Sequence, residues 1–403
     1  MEQLGLNDYF ENYLNKKSIF KNKRVLQEKY IPSSISHRKQ QISQLASMLA
    51  PALKVDRPSN LFLYGKTGTG KTLCTKYIFN ELSEVCKTKK IALHLIYVNC
   101  KLKKVSNTEY RIIAQFAREV GQEIPATGLP TEEVYNRFLK KINEKKQVVI
   151  LALDEVDRLV SKLGVGDEIL YNLTRLNGEL DKAQLSIIGI SNDLRFMERL
   201  DPRVKSSLSE EEIIFPPYNA LQIKEILKER AKLAFNSNTI SEGVLEKCAA
   251  YAAREHGDAR RALDLLRVAG EIAERSERHL VTPDDIDKAE EKIERSRILE
   301  IARTQPIQSQ ITLYSIILLS EDNKDGIATG EVFEKYKGIC KQCKLPVLTQ
   351  RRVSDLISEL DMLGIIHGRV ISKGRYGRTR EIYSNIPTSL LEKVKEVLEK
   401  EIV

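Results

Sequence analysis

The stretch that decides the fold is Gly65-Lys66-Thr67-Gly68-Thr69-Gly70-Lys71-Thr72, which follows the apolar run Asn60–Tyr64. It meets every position of the phosphate-binding P-loop pattern. Its glycines let the backbone curl until the N–H groups point inward, and the helix that follows adds partial positive charge. Lys71 is expected to reach the outer phosphates of a nucleoside triphosphate, and Thr72 to ligate Mg²⁺. A glycine-rich turn that fits by chance is the alternative, and the strand-loop-helix context argues against it.

A second apolar run, Val148–Leu153, ends in the carboxylates Asp154 and Glu155. Asp154 would hold Mg²⁺ through water, and Glu155 would orient or deprotonate an attacking water. The pair therefore predicts hydrolysis and not binding alone. The alternative is a strand that ends in an ordinary acidic turn.

Two further polar residues are candidates for the same site. Asn192 follows the apolar run Leu185–Ile190, where an amide would meet a water or the terminal phosphate; it could instead cap the next helix. Arg260 begins a helix after Gly257-Asp258, and a cation there opposes the helix dipole, so we expect it to turn back toward the phosphates. An ordinary surface arginine is the alternative.

Composition narrows the class of protein. At 403 residues the chain has room for two or three domains, and its apolar runs are too short to cross a bilayer. The polar start lacks a secretory signal, and the six scattered cysteines form no disulfide framework, so we expect free thiols in the cytoplasm. Zinc at Cys340 and Cys343 is a weak alternative, since no second ligand pair lies nearby. The net charge of +9 suggests a polyanionic partner, although solvated lysines would give the same number.

The order of apolar and amphipathic segments predicts an α/β fold with a mostly parallel sheet, followed by helices only. The pattern of alternating apolar runs and amphipathic segments gives way to helical segments alone after Pro216-Pro217, and Pro306 separates these from a further unit. We therefore expect an N-terminal extension over residues 1–36, a P-loop sheet domain over 37–217, a helical domain over 218–304 and a third domain over 305–403.

The third domain has the pattern of a winged helix that binds DNA. Thr349 is placed to cap a helix whose apolar stripe is Val353, Leu356, Ile357 and Leu360. A predicted hairpin over residues 365–383 follows, with no acidic residue between Arg369 and Arg380. Arginines and hydroxyls on such a helix read bases in the major groove, and a basic wing meets the backbone or minor groove. The candidate DNA-binding residues are Arg351, Arg352, Ser354, Ser358, Arg369, Lys373, Arg375, Tyr376, Arg378 and Arg380.

Taken together, these motifs resemble the AAA+ ATPases: Walker A at 65–72, Walker B at Asp154-Glu155, sensor 1 at Asn192 and sensor 2 at Arg260. More narrowly, the chain resembles the archaeal origin-recognition and cell-division-control initiator family. That likeness rests on the segments Tyr30-Ile31-Pro32, His37-Arg38, Pro58-Ser59-Asn60, Leu200-Asp201-Pro202-Arg203-Val204-Lys205-Ser206-Ser207 and Phe215-Pro216-Pro217-Tyr218, and on the terminal winged helix.

The resemblance implies further site residues. Tyr218 and Arg230 would line the nucleotide pocket. A helix over 107–121 matches an insertion through which the family contacts DNA, although a routine packing helix explains the same pattern. The chain departs from many hydrolysing relatives at Ser207, where they carry an arginine finger; Arg203 and Lys205 are the candidates to replace it. We therefore expect slow hydrolysis, with ATP and ADP serving as conformational states.

The function implied is an ATP-regulated replication initiator that binds double-stranded origin DNA and helps recruit or load the replicative MCM helicase, with other initiator subunits as possible partners. The alternative is an ATP-responsive transcriptional regulator of the same fold. A clamp-loader-like ATPase would not need the basic wing, and a small-molecule kinase would not explain the residues beyond about 305.

Overall fold

The structure, a computed structural model, describes residues 17–100, 109–125, 128–159, 165–208, 210–322, 326–372 and 378–402. It consists of two compact units, Met1–Ile286 and Asp287–Val403.

The first unit contains a five-stranded parallel sheet, which confirms the predicted α/β class. The strands lie in the order β2-β3-β4-β1-β5. Every residue of β1 and β3 is buried, as expected for central strands covered by helices on both faces. The strands are β1 (Asn60–Tyr64), β2 (Leu93–Asn99), β3 (Gln147–Asp154), β4 (Ala183–Ser191) and β5 (Glu210–Ile214).

Helices cover this sheet and then continue without strands. The helices that begin in the first unit are α1 (Lys39–Leu49), α2 (Lys71–Lys89), α3 (Glu109–Glu119), α4 (Thr131–Ile142), α5 (Val165–Arg175), α6 (Phe196–Arg199), α7 (Pro202–Leu208), α8 (Ala220–Ala234), α9 (Val244–Arg254), α10 (Ala259–Arg275) and α11 (Pro283–Thr304). We call α8 to α10 the lid helices. Asn219 and Gln222 form a capping box at the start of α8, and Asp258 caps α10.

The helix predicted over 107–121 is a packing helix in its described part, α3. Ile112, Ile113 and Phe116 are fully buried in the main core. Arg118, on the exposed side, donates to the carbonyl oxygens of Ile124 and Pro125 at 3.0–3.1 Å. The predicted DNA contact through this insertion therefore stays a prediction, and residues 101–108 lie outside the described residues.

The second unit has a helix-turn-helix core and a small antiparallel sheet, the arrangement of a winged helix. Its elements are α12 (Ile307–Asp322), β6 (Ile327–Ala328), α13 (Thr329–Gln342), α14 (Gln350–Met362), β7 (Ile366–Ser372), β8 (Arg378–Ser384) and α15 (Thr388–Ile402). The sheet order is β6-β8-β7. Thr349 Oγ1 accepts a hydrogen bond from Arg352 N, so the predicted cap of α14 is formed. The predicted apolar stripe of α14 is buried in this unit's core.

Candidate functional site

The P-loop connects β1 to α2 and needs glycine at two positions. Gly68 and Gly70 have φ angles of +73° and +93°, which residues with a side chain rarely adopt. A Cβ on Gly68 would lie 1.8 Å from Oδ1 of Asp258, and one on Gly70 would lie 2.9 Å from the Tyr218 hydroxyl. The loop can therefore approach the lid helices this closely only because these residues lack side chains.

Lys71 is buried at the start of α2, and its ammonium group is fully engaged. Nζ donates to the carbonyl oxygens of Gly65 at 2.6 Å and Lys66 at 2.9 Å, and to Oδ1 of Asn192 at 2.9 Å. Burial lowers the pKa of Lys71 to about 8, an effect that the carboxylate of Asp154 opposes and the charge of Arg260 reinforces. The structure thus brings together Lys71 and Asn192, two residues that the sequence predicted for one site.

Thr72 and Asp154 form the predicted metal pair. Thr72 Oγ1 donates to Asp154 Oδ2 at 2.8 Å, and the Tyr97 hydroxyl on β2 donates to the same oxygen. Desolvation raises the pKa of Tyr97, so the phenol stays protonated as a donor. A hydroxyl and a carboxylate are ligands that Mg²⁺ prefers, so these residues fit that ion. The sequence analysis missed Tyr97, which no local pattern marks.

Glu155 has a backbone conformation that is unusual for a non-glycine residue. Its φ is +55°, in the left-handed region, directly after β3 ends at Asp154. Its carboxylate lies 3.5 Å from Asn99 Nδ2 and 3.9 Å from Arg158 Nε. Unusual backbone conformations of this kind cluster at functional sites. Glu155 is among the residues that line the cavity beside the P-loop.

Asp157 fixes the turn that carries Asn192. Its Oδ1 accepts from Asn192 N at 3.2 Å and from Ser191 Oγ at 3.1 Å. Asn192 therefore reaches Lys71 from a backbone that is held in place at the end of β4.

Arg38 joins the P-loop to the junction between sheet and lid. Its guanidinium lies 3.8 Å from the centroid of the Tyr218 ring, and its Nε donates to the Thr69 carbonyl at 2.9 Å. A second donor, Nη2, bonds the carbonyl of Pro216. Tyr218 is buried, and burial raises its pKa to about 12. The sequence analysis placed Arg38 in a family motif without giving it a role at the site.

The two predicted lid arginines differ in environment. Arg230 on α8 is buried, its guanidinium carbon lies 4.6 Å from the ring centroid of Tyr30, and Nη1 has no hydrogen-bond partner among the described residues. Burial lowers the pKa of Arg230. Arg260 on α10 is half-exposed and pairs with Glu28 Oε1 at 2.7 Å. A buried guanidinium without an acceptor favours an additional polar or anionic partner.

These residues enclose a cavity of about 770 Å³ between the sheet and the lid helices. The wall includes the predicted residues Thr67, Gly68, Thr69, Gly70, Lys71, Thr72, Asp154, Glu155, Asn192, Tyr218, Arg230 and Arg260. Gly65 and Lys66 accept hydrogen bonds from Lys71 with their carbonyls, and Lys66 Nζ lies 3.2 Å from His256 Nδ1. The volume suits a nucleotide-sized ligand.

Helix α7 carries Ser207 and the two candidate replacements for an arginine finger, Arg203 and Lys205. Ser207 Oγ donates to the Arg203 carbonyl at 2.8 Å. The exposed Arg203 makes a two-point contact with Asp201 at 3.0 and 3.1 Å, while Lys205 is exposed.

In the second unit, the predicted DNA-binding residues lie on α14 and the hairpin that follows. Arg351 is exposed, whereas Arg352 has Asp355 at 3.8 Å and Glu359 at 3.5 Å. Ser358 Oγ donates to the Ser354 carbonyl at 3.0 Å.

Two hydrogen bonds to side chains of α14 join the hairpin to that helix among the described residues: Gly368 N donates to Asp361 Oδ1 at 3.3 Å, and the second comes from Arg380. Arg380 Nη1 donates to Ser358 Oγ at 2.7 Å. Arg369 is exposed on β7 and Arg378 begins β8, while Lys373, Arg375 and Tyr376 lie outside the described residues. Helix and wing are thus held together at Ser358, on the side of the unit that carries Arg351.

Within the described ranges, no group of three or more His, Cys, Asp or Glu side chains could hold a metal ion. Cys340 is buried and Cys343 is half-buried. No described helix is long and apolar enough to cross a membrane.

A P-loop sheet domain, a helical lid and a terminal winged helix together define this class of protein. It is an AAA+ type nucleotide-binding protein with a winged-helix domain, a fold that commonly binds DNA. Comparison with known families agrees with this order. The AAA domain family matches residues 55–197, the Cdc6 AAA+ ATPase-type lid domain matches 224–291, and the CDC6 C-terminal winged helix domain matches 300–394.

Similar proteins extend over nearly the whole chain. The ORC1-type DNA replication protein 1 of Methanosarcina mazei is 52% identical over 97% of this chain and 93% of its own length. The ORC1-type protein of Thermococcus onnurineus is 52% identical over 96% and 93%. The solved structure of the Aeropyrum pernix ORC1 protein in complex with DNA has a TM-score of 0.86 at 44% identity, covering 96% of this chain and 98% of that one. The chain belongs to the family of ORC1-type DNA replication proteins, which confirms the resemblance seen in its motifs.

Proposed function

We propose that this protein is an ATP-regulated initiator of DNA replication that binds double-stranded origin DNA and helps recruit or load the replicative MCM helicase. The observation that carries the proposal is the presence in one chain of a formed P-loop cavity and a winged helix with an exposed arginine face. The structure of the Aeropyrum pernix relative, described as a complex with DNA, supports the second half of this pairing.

ATP and ADP are the proposed ligands of the cavity. Lys71 would exchange its carbonyl and Asn192 acceptors for the outer phosphates, and the unpartnered Nη1 of Arg230 would meet a polar group of the nucleotide. Thr72 and Asp154 would hold Mg²⁺, which neutralises phosphate charge when bound. Glu155 would accept the proton of the attacking water, with Asn192 and Arg260 stabilising the charge that develops.

Hydrolysis is proposed to be slow and to act as a switch. Two observations support this. Ser207 stands at the position where hydrolysing relatives carry the arginine finger, and the guanidinium of Arg203 is already bonded at two points to Asp201. Stabilisation of the transition state by an arginine finger accounts for a large share of the rate in related chemistry. Without it, the ATP and ADP forms would persist long enough to serve as two conformational states.

DNA contact is assigned to α14 and the wing. Arg351, Arg352, Ser354 and Ser358 would face the major groove, and the hairpin arginines the backbone or minor groove. The hydroxyl of Ser358 already bonds the Ser354 carbonyl and Arg380, so Ser358 would position Arg380 as well as contact DNA itself. We assign residues 1–36, 37–217, 218–304 and 305–403 to the extension, ATPase, lid and winged-helix domains, and we place the protein in the cytoplasm, on chromosomal DNA with other initiator subunits.

The test is to map bound genomic DNA in cells against replication start sites. An initiator should be enriched at those sites, and depletion of the protein should lower firing there. Enrichment at promoters without any at start sites would favour the transcriptional regulator instead. Purified protein that ignores duplex oligonucleotides at low salt, with either adenine nucleotide, would contradict both.

A further inference from the structure

Residues 17–36, part of the predicted N-terminal extension, pack against the lid helices through hydrogen bonds, an ion pair and an aromatic contact. Ile19 N donates to Glu274 Oε1 at 3.1 Å, and Lys23 pairs with Glu271 at 2.7 Å. The ring of Phe20 lies 4.7 Å from that of Phe235. A short 3-10 turn, Lys23–Leu26, then leads the chain to the cavity. The segment therefore belongs physically to the lid.

This segment contacts both lid arginines that were assigned to the nucleotide. Tyr30 stacks on Arg230, and Glu28 Oε1 pairs with Arg260 Nη1 at 2.7 Å. Residues 27–36 also line the same cavity as the P-loop. The partner of Arg260 in the structure is thus a carboxylate of the segment.

The main chain of Arg260 is held by a hydrogen bond, while its side chain is partly exposed. Asp258 Oδ1 accepts from Arg260 N at 2.8 Å and so anchors the start of α10. The side chain is 43% exposed. Burial lowers the pKa of Lys71, and the nearby positive charge of Arg260 lowers it further. The guanidinium thus pairs with Glu28 and lines the same cavity as the P-loop.

We propose that Glu28 is a positioning residue that competes with the terminal phosphate of ATP for Arg260 and thereby sets the selectivity of the site between ATP and ADP. The proposal rests on the proposed nucleotide role of Arg260. In the ADP form the Glu28–Arg260 pair persists, because ADP has no terminal phosphate to displace it. In the ATP form Arg260 turns to that phosphate, and Glu28 returns to solvent.

The strength of the pair suits such an exchange. Glu28 is 65% exposed, and exposed ion pairs are weak because water and salt screen them. A terminal phosphate carries more charge than a carboxylate and offers several acceptor oxygens. Loss of Glu28 should therefore favour ATP by a small factor, up to about fivefold, because exposed pairs of this kind contribute at most about that much.

The experiment measures ATP and ADP dissociation constants of the full-length protein by calorimetry, for wild type, Glu28→Gln, Arg260→Gln and the double variant. Glu28→Gln should bind ATP about two- to fivefold more tightly and leave ADP affinity unchanged. Arg260→Gln should weaken ATP binding. In the Arg260→Gln background, Glu28→Gln should have no further effect, because the two changes act through one contact.

Glu255→Gln is the matched control. It removes the ion pair of the neighbouring Arg261, which lies at 3.2 Å, and should leave the ATP to ADP ratio unchanged. The thermal unfolding midpoint of each variant establishes that it is folded, and Glu28→Lys, which repels Arg260, should shift the ratio in the same direction as Glu28→Gln.

The outcomes separate the two proposals. An unchanged ratio in Glu28→Gln and Glu28→Lys, together with weakened ATP binding in Arg260→Gln, would overturn the role of Glu28 and leave the nucleotide role of Arg260 standing. Unchanged ATP affinity and turnover in Arg260→Gln would overturn both.

Discussion

If Lys71 binds the phosphates as proposed, it should make nucleotide binding depend on pH, because burial lowers its pKa to about 8. Below pH 8 the empty site already holds a charged ammonium, so ATP affinity should be nearly independent of this group. Above pH 8 the lysine must first take up a proton, and affinity should fall by up to tenfold per pH unit. Calorimetric titration with ATP between pH 7 and 9.5 measures this. Constant affinity across that range would contradict it, and Lys71→Arg, which stays charged, should show no such dependence in any binding it retains.

The two strongest residue assignments separate binding from hydrolysis. Lys71→Ala removes the group that bonds Gly65, Lys66 and Asn192 and should abolish ATP binding. Glu155→Gln keeps the shape of the site but loses the base, so it should bind ATP normally and lower turnover by about a hundredfold or more. Equilibrium binding and phosphate release measure the two effects. The exposed Glu179→Gln is the control, and undiminished turnover in Glu155→Gln would remove Glu155 from catalysis.

At the scale of single elements, α14 carries the sharpest prediction about DNA. Arg351 is exposed, whereas Arg352 has acidic neighbours on its own helix. If Arg351 meets a phosphate, Arg351→Ala should flatten the slope of log affinity against log salt by about one unit. Arg352→Ala should change it less, because that charge is already partly neutralised.

Fluorescence anisotropy with a duplex oligonucleotide over a range of salt concentrations measures these slopes. Lys400→Ala removes one exposed positive charge from α15 and serves as the control. Equal slopes for Arg351→Ala, Lys400→Ala and wild type would show that Arg351 makes no phosphate contact.

Elements were also the scale at which the sequence was most informative. The strand runs 61–64, 148–153 and 185–190 were correctly placed because buried parallel strands are continuously apolar. Strand ends were less accurate: β4 begins at Ala183, before the apolar run 185–190, and β5 begins at Glu210, before its apolar residues Ile213 and Ile214. The reason is that pairing with a neighbour defines a strand end, and charged residues such as Glu211 pair as well as apolar ones.

At the scale of the whole molecule, two compact units should respond differently to nucleotide. The proposed ATP site lies within the first unit, so saturation at about 100 times the dissociation constant should stabilise that unit by about 2.7 kcal/mol. Differential scanning calorimetry should then show a higher midpoint temperature for one unfolding transition, while the midpoint of the unit from Asp287 onward stays unchanged.

Lys71→Ala should remove this shift, because the variant should no longer bind ATP; each variant is compared with its own nucleotide-free transitions. Two transitions that rise together by the same amount would mean that the units unfold as one, contrary to their division.

The sequence by itself determined the class of protein, because a P-loop, a carboxylate at a strand end and a capped recognition helix are local patterns whose chemistry depends on close spacing. Asp154, Asn192 and Arg260 could be proposed for one site because parallel strands and their lid end on the same side. Only the tertiary structure decided the partners of Arg38, Tyr97 and Glu28, since packing brings each to residues distant in the chain. No period or spacing records such contacts, because they follow from how the sheet, the lid and the segment 17–36 fold against one another.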